Sequence, residues 1–568
     1  MIEQHHFNQY ILPRIIQESD GTRRKVLNGE ENRGELFNLL NLSVSDLFLF
    51  GSGIGVYFLQ LLILSGILLL CGAIMVYAAY QYISNSYGVT SSNELVTISA
   101  ACGASKAINV TVGCSTGETS CIAYHRENCD LPYGAGLCDL IMSLSFILLI
   151  YASYYVENKW ETHMDKSVTT SRDYSIMIAD PGEREDDPDV WKEFFSKIKH
   201  SDGRTRKVRY VSIARRNLAL CKLIAEKHKI TRKLTELSKI VHLNSIGRTW
   251  EKFWLNKYDH VNKELSYAYE EFYPVCKVFI TFDLESTQRE YLNAMEVPDI
   301  AALMDWKSDI KEEFFFKSTQ GDDSVNVLNV ITAAEPDDIR WENIEEDPVK
   351  RTATVVVGYL VVGGTMVATY FIINYATGVS STVLAIVIAV LDTLLGSLFE
   401  TITELGSPST EGEKQSSLQL KLFFVRLLIS TVFPYLQTDW AAFLDVDTMQ
   451  KIITVQLSAC ILSPLITLTD IGGVINRNIV APYLSQTQAE LNSKWSGSPW
   501  SLAERYTVLS KILFISVFYA ILTPVALLIG CVSFLLVFLV DRFLLLRKWA
   551  PSGLLDSNGM YMHTIPPF

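Results

Sequence analysis

Charge is scarce in this chain: charged residues make up 20% of 568, against 49% hydrophobic ones. With a positive mean hydropathy, that balance suits a membrane protein with a sizeable water-exposed part. Positive charge is in deficit. Forty-nine Lys and Arg face 62 Asp and Glu, a formal net charge of −13, which would repel phosphate and speaks against nucleic acid as a partner. Catalytic signatures are missing too, with no HExxH, no GxSxG and no Walker-type glycine loop, so no enzyme and no cofactor are expected. No internal repeat is evident, whereas a coupled transporter would show paired broken helices. None of the ten cysteines stands in a CxxC pattern, which weakens a zinc site built around His125.

What is present is a set of long apolar runs. About eight candidate spans fall at 54–82, 136–156, 353–376, 380–405, 418–437, 449–474, 506–523 and 525–545. The first is too long for a signal peptide and has no small-residue cleavage pattern, so it stays as a membrane helix. Arg23, Arg24 and Lys25 before it, and Arg542, Arg547 and Lys548 at the other end, put both termini in the cytosol. An even number of spans follows.

The cysteines give the same topology. Cys102, Cys114, Cys121 and Cys129 fall between the first two spans together with the sequon Asn109-Val110-Thr111, as in a lumenal or extracellular loop (83–135) with disulfides and a glycan on Asn109. Four cysteines allow three pairings, and spacing does not choose among them.

Residues 1–53 and 550–568 read as cytosolic ends, and 157–350 as a cytosolic domain. In that domain strand-like runs at 174–178, 207–213, 275–282 and 325–331 alternate with helical ones, the first helix burying Val190, Phe194 and Ile198. The βαβ…βαβ order predicts a ferredoxin-like (RRM-like) sheet with a helical insertion. An RNA-binding role is disfavoured because the third strand, VCKVFITF, lacks an RNP motif. The fold class expected is thus a polytopic α-helical membrane protein with an inserted cytosolic α+β domain.

Carboxylates in hydrocarbon cost roughly 2.5–3.5 kcal/mol each on insertion scales, so they mark a path, a partner or a ligand site. Asp392, Gly396, Glu400 and Glu404 recur at spacings of four and share one sector of a helix. Two readings stay open and can hold together: a cation-attracting stripe on an aqueous path, or an internal ion pair with Arg426 on the next span. The span 449–474 adds Gln456 and Asp470 as pore-lining candidates, and Pro464, Gly472 and Gly473 as places where a gate could bend.

Three segments resemble the hyperosmolality-gated calcium-permeable channel (OSCA) family. They are Val278 to Phe282 (VFITF), Ala334 to Asn343 (AEPDDIRWEN), and the connection holding Glu404, Ser409 and Lys421. In that family a strand reading roughly FVTF precedes an APEPxDIxWxNL segment that leads into the third membrane helix. The resemblance covers about 174–549 and implies a homodimer in the plasma membrane, with a pore in each subunit lined by the spans within 353–523. It would pass Ca2+, Na+ and K+ under membrane tension or osmotic stress, with lipids as its other partners. The family usually has eleven helices, and the initial one and the last two have no counterpart here, so the chain is expected to be either a shortened member or one whose ends are incomplete, with a pore region at 351–549. The related anoctamins, calcium-activated channels or lipid scramblases, supply the alternative, lipid scrambling. Only Glu504 and Asp541, joined at most by Asp470, are acidic in the corresponding stretch, too few for a buried calcium site, and no metal site is expected.

Overall fold

The computed structural model describes residues 7, 12–17, 23–26, 34–39, 42–84, 94–101, 105–110, 121–126, 132–165, 170–179, 181–182, 184–198, 206–238, 245–295, 315–317, 325–344, 348–436, 444, 446–485, 488–495, 497 and 500–549. The chain forms two compact units, one of residues 1–168 and 349–568, the other Thr169–Pro348.

Helix α1, Ser52–Ser84, has no charged residue in 33. It packs along α2, Tyr133–Asp165. Between them the strands Ser105–Val110 and Cys121–Arg126 pair antiparallel, Ser105 opposite Arg126. Asn109 and Cys121 lie on this hairpin, whose side chains are outside the described ones, and Cys102, Cys114 and Cys129 are outside the described residues altogether.

The second unit is an antiparallel sheet with helices between its strands. Strands β1 (Ser175–Ile178), β2 (Val208–Arg215), β3 (Val275–Phe282) and β4 (Val330–Thr332) lie in the order β4-β1-β3-β2. Ile176 pairs with Ile280 on β3, and Ile178 with Val330 on β4. Helix α3, Pro188–Lys197, is capped by Asp187 and opens on a proline at its first position. It buries Trp191 and Phe195, with Ile198 just beyond it, while Val190 and Phe194 are only partly buried. Trp191 decides this face: its ring stacks on Phe316 at 4.4 Å and its Nε1 donates to Glu185 O at 3.1 Å. Helices α4 (Leu218–Ser238) and α5 (Ser245–Ala268) pair as the insertion between β2 and β3, and α6 (Glu285–Met295) returns the chain toward β4. The expected fourth strand is divided. Val325–Val327 pairs with Phe315–Lys317, and only Val330–Thr332 joins the main sheet.

The rest of the first unit follows: α7 (Pro348–Val379), α8 (Ser381–Leu405), α9 (Glu411–Leu427), α10 (Val446–Leu457), α11 (Ile471–Ile475), α12 (Leu502–Phe518) and α13 (Val525–Arg547). Seven helical stretches among the described residues are long and apolar enough to cross a membrane, one fewer than the eight expected. The missing one is α12. Its 17 residues reach about 26 Å, short of the ~30 Å hydrocarbon layer, and it carries Glu504, Arg505 and Lys511 while most of its side chains are buried.

Helix α12 sits in a core with α1 and α13. Gly530 permits the closest approach: a Cβ there would lie 2.2 Å from Ser516 Oγ and 2.8 Å from Leu68 Cδ1. Small residues let membrane helices pack backbone to backbone in this way.

Three π-helical turns interrupt the bundle, at Leu428–Val432, Ser458–Leu462 and Asn476–Val480. Each ends two residues before a proline: Pro434, Pro464 and Pro482. Proline has no N–H to continue the ladder and its ring crowds the carbonyl four residues back, so the helix re-registers there. Neighbouring hydroxyls take up freed carbonyls. Ser533 Oγ donates to Cys460 O, the oxygen that an N–H on residue 464 would have bonded, and within the first π turn Tyr519 Oη donates to Thr431 O at 2.7 Å.

Candidate functional site

Five helices of the first unit are tied by one charge network. Asp392, in the middle of α8, receives Arg426 Nε on Oδ1 at 2.7 Å and Lys511 Nζ on Oδ2 at 2.6 Å. From α9, Arg426 also donates Nη1 to Glu504 O at 3.1 Å and to Thr507 Oγ1 at 2.5 Å, and its Nη2 lies 3.6 Å from Glu504 Oε1. Arg505 then bridges Glu504 (3.4 Å) and Asp541 on α13 (3.3 Å). Tyr57 of α1 closes the series by donating to Asp541 Oδ2 at 2.6 Å. Gly396, one turn beyond Asp392, faces the guanidinium, and an added Cβ would stand in ordinary contact with it, 3.8 Å from Arg426 Nη2.

Three carboxylates (Asp392, Glu504, Asp541) meet three cations (Arg426, Arg505, Lys511), so the network is neutral. Arg426, Arg505, Lys511 and Asp541 are buried, Asp392 is only slightly exposed, and the Glu504 side chain is 41% exposed. Buried charges persist where they are paired and hydrogen-bonded, and removing one partner leaves the other stranded. The network therefore locks α8, α9, α12 and α13 in one arrangement.

The other two carboxylates of the α8 stripe behave differently. Glu400 and Glu404 are half-exposed and share Lys414, at 3.6 and 3.0 Å. Lys421, on the same face of α9, is buried. Its Nζ donates to Thr403 Oγ1 at 3.0 Å and Ser417 Oγ at 2.9 Å, and lies 5.4 Å from the Tyr359 ring centre. The acidic stripe is thus divided between an inner, paired Asp392 and an outer, solvated Glu400 and Glu404.

On α10, Gln456 is buried and hydrogen-bonded to Thr523, Nε2 to Oγ1 at 3.0 Å. Pro464 is also buried and opens the segment Ser463–Thr469 after the π turn. The sharp break comes at Asp470, whose φ of 50° and ψ of 48° are left-handed, a conformation costly for a residue with a Cβ. Lys548 Nζ donates to Leu468 O at 3.0 Å beside it, and Arg477 Nη2 stands 3.8 Å from Asp470 Oδ2. The two glycines after the break are not equivalent. A Cβ on Gly473 would meet Asp470 Oδ2 at 2.2 Å, whereas one on Gly472 meets nothing within 4 Å.

Lys511, Arg505 and Lys414 were not legible as partners. The signal for the first two was a Glu504-Arg505 pair and a lone Lys511 inside an apolar run, charges that must find opposite charges when a span is buried. No family model matches the chain, and no curated protein matches it.

Proposed function

We propose that this chain is a tension- or osmotically gated, poorly selective, calcium-permeable cation channel of the OSCA type. In this reading it works as a homodimer in the plasma membrane with its N-terminus cytosolic. The stretch Val446–Leu484 carries the proposal. It is apolar enough to cross the membrane, yet it contains two π turns, two prolines and a left-handed residue. Irregular backbone at membrane depth is tolerated where it is buried in protein or lines water, and such points are where a helix can change its bend. The half-exposed Glu400 and Glu404 on α8 supply negative charge that would favour cations.

Two further observations support the family reading. The sheet order β4-β1-β3-β2, all antiparallel, suits a ferredoxin-like domain. Two of the three resembling segments also meet in space, the Phe279 ring lying 5.9 Å from Trp341.

The test is recording from purified protein in liposomes under suction, with a lipid-scrambling assay in parallel. Stretch-activated currents that reverse near the cation equilibrium potential are expected. Protein that passes no current up to the lytic limit, yet scrambles lipid, replaces the channel with the scramblase.

A further inference from the structure

One residue, Lys548, grips both sides of the break at Asp470. Before the break its Nζ donates to Leu468 O at 3.0 Å and Thr469 O at 3.5 Å. Beyond the break its carbonyl oxygen accepts from Arg477 Nη2 at 2.6 Å. In an unbroken α-helix each N–H bonds the oxygen four residues back, so Leu468 O and Thr469 O are the oxygens that Gly472 N–H and Gly473 N–H would take. A single ammonium, with three protons to give, stands in for those two backbone donors.

The base from which Lys548 reaches is fixed. It follows directly on α13, and its N–H and that of Trp549 both return to Leu544 O at 2.9 Å. The Trp549 ring packs edge-on against Trp500 at 5.3 Å and lies 5.1 Å from the Arg505 guanidinium, while Arg547 Nη2 donates to Phe37 O at 2.7 Å. Arg477 is backed in turn by the Phe7 ring, 5.3 Å from its guanidinium carbon.

The bent helix has a straight alternative within reach of the same chain. Asp470 is held left-handed at φ 50°, and the right-handed helix is the lower state for a residue with a Cβ. No proline stands between Pro464 and Pro482, so nothing covalent prevents the bonds from 472 to 468 and from 473 to 469. A straight helix satisfies Leu468 O and Thr469 O internally and has no use for Lys548. The bent one satisfies them through Lys548.

We propose that Lys548 is a clasp that holds the helical stretch 463–484 bent at Asp470, and that its release lets the two halves join into a straighter helix. The clasp is a feature of the fold; that the bend gates ions rests on the channel proposal.

The test is the distance between spin labels replacing Leu465 and Tyr483, 41% and 85% exposed, carried on genetically encoded residues so that the native cysteines stay unlabelled. It is read by double electron–electron resonance on full-length protein in liposomes. Wild type should fall short of the roughly 27 Å that continuous helix spans between those positions. K548M should move the distance toward that value, and K548R, which keeps the donors, should move it less. D470V should lengthen it with Lys548 intact, because a β-branched residue is an outlier in the left-handed region. A K548M distance equal to that of wild type overturns the clasp, and so does one that broadens without lengthening, since the freed carbonyls then only fray. Should K548M fail to accumulate, an unchanged distance in D470V overturns the clasp by itself. The distances decide the clasp whether or not current flows, so a protein that conducts nothing in the suction recordings loses the channel alone.

Discussion

Asp392→Asn is expected to be the most damaging conservative change in the charge network of the first unit. It leaves Arg426 and Lys511, both almost fully buried, facing a neutral amide across the 2.7 and 2.6 Å contacts that Asp392 now fills. Removing one partner of a buried pair costs about 3–5 kcal/mol, and here one substitution strands charge on two cations, which places it at the upper end. Lys511→Met should cost less, because Asp392 keeps Arg426. The double variant D392N/K511M is the decisive one. It restores neutrality, with Arg426 and Arg505 facing Glu504 and Asp541, so it should be more stable than D392N alone, with a coupling of roughly 1–3 kcal/mol. Melting of detergent-solubilised protein, followed by fluorescence-detected size-exclusion chromatography, ranks the three. Additive losses, or a D392N protein with wild-type Tm, would refute the network as a lock between helices.

Four further outcomes are expected. Neutralising Glu400 and Glu404 to Gln should cost under about 1 kcal/mol in stability, since both are half-exposed, yet lower cation conductance or cation-over-anion selectivity. Unchanged unitary current and reversal potential would take them off the ion path. Gly530→Ala should destabilise by about 1–3 kcal/mol through overpacking, and Ser516→Ala, which removes the oxygen 2.2 Å from the new Cβ, should recover part of that loss in the same melting assay. Asn109 should carry a glycan when the chain passes through a eukaryotic secretory pathway while a second sequon, Asn41-Leu42-Ser43 before the first span, stays bare, and glycan mapping that finds sugar on Asn41 reverses the orientation. In the sheet unit, burial raises the Tyr291 phenol above its ordinary value near 10. Its contribution is therefore full below about pH 10 and is lost as pH rises further and ionisation is forced. Hydrogen exchange of β3 and α6 should accelerate above pH 10 beyond the intrinsic rate, and less so in Y291F, which gives up only the 2.5 Å bond to Phe195 O.

The sequence by itself determined where the long apolar helices of the first unit lie, because length and apolarity belong to each segment alone. It also determined β3, whose bounds Val275–Phe282 are those read from its alternating, β-branched run. Where two neighbouring stripes on one helix are both apolar, periodicity cannot choose between them. Val190 with Phe194 and Trp191 with Phe195 have the same spacing, and the contacts of Phe195 with the distant Phe282 and Tyr291 favour the second. The π turns were legible only as prolines in apolar runs; the hydroxyls of Tyr519 and Ser533 that accept the consequences come from other helices. The same holds for charge. A carboxylate at position 392 announces that something must neutralise it, but its two partners lie 34 and 119 residues away. Which cations reach it depends on distances between helices, and only tertiary packing sets those distances.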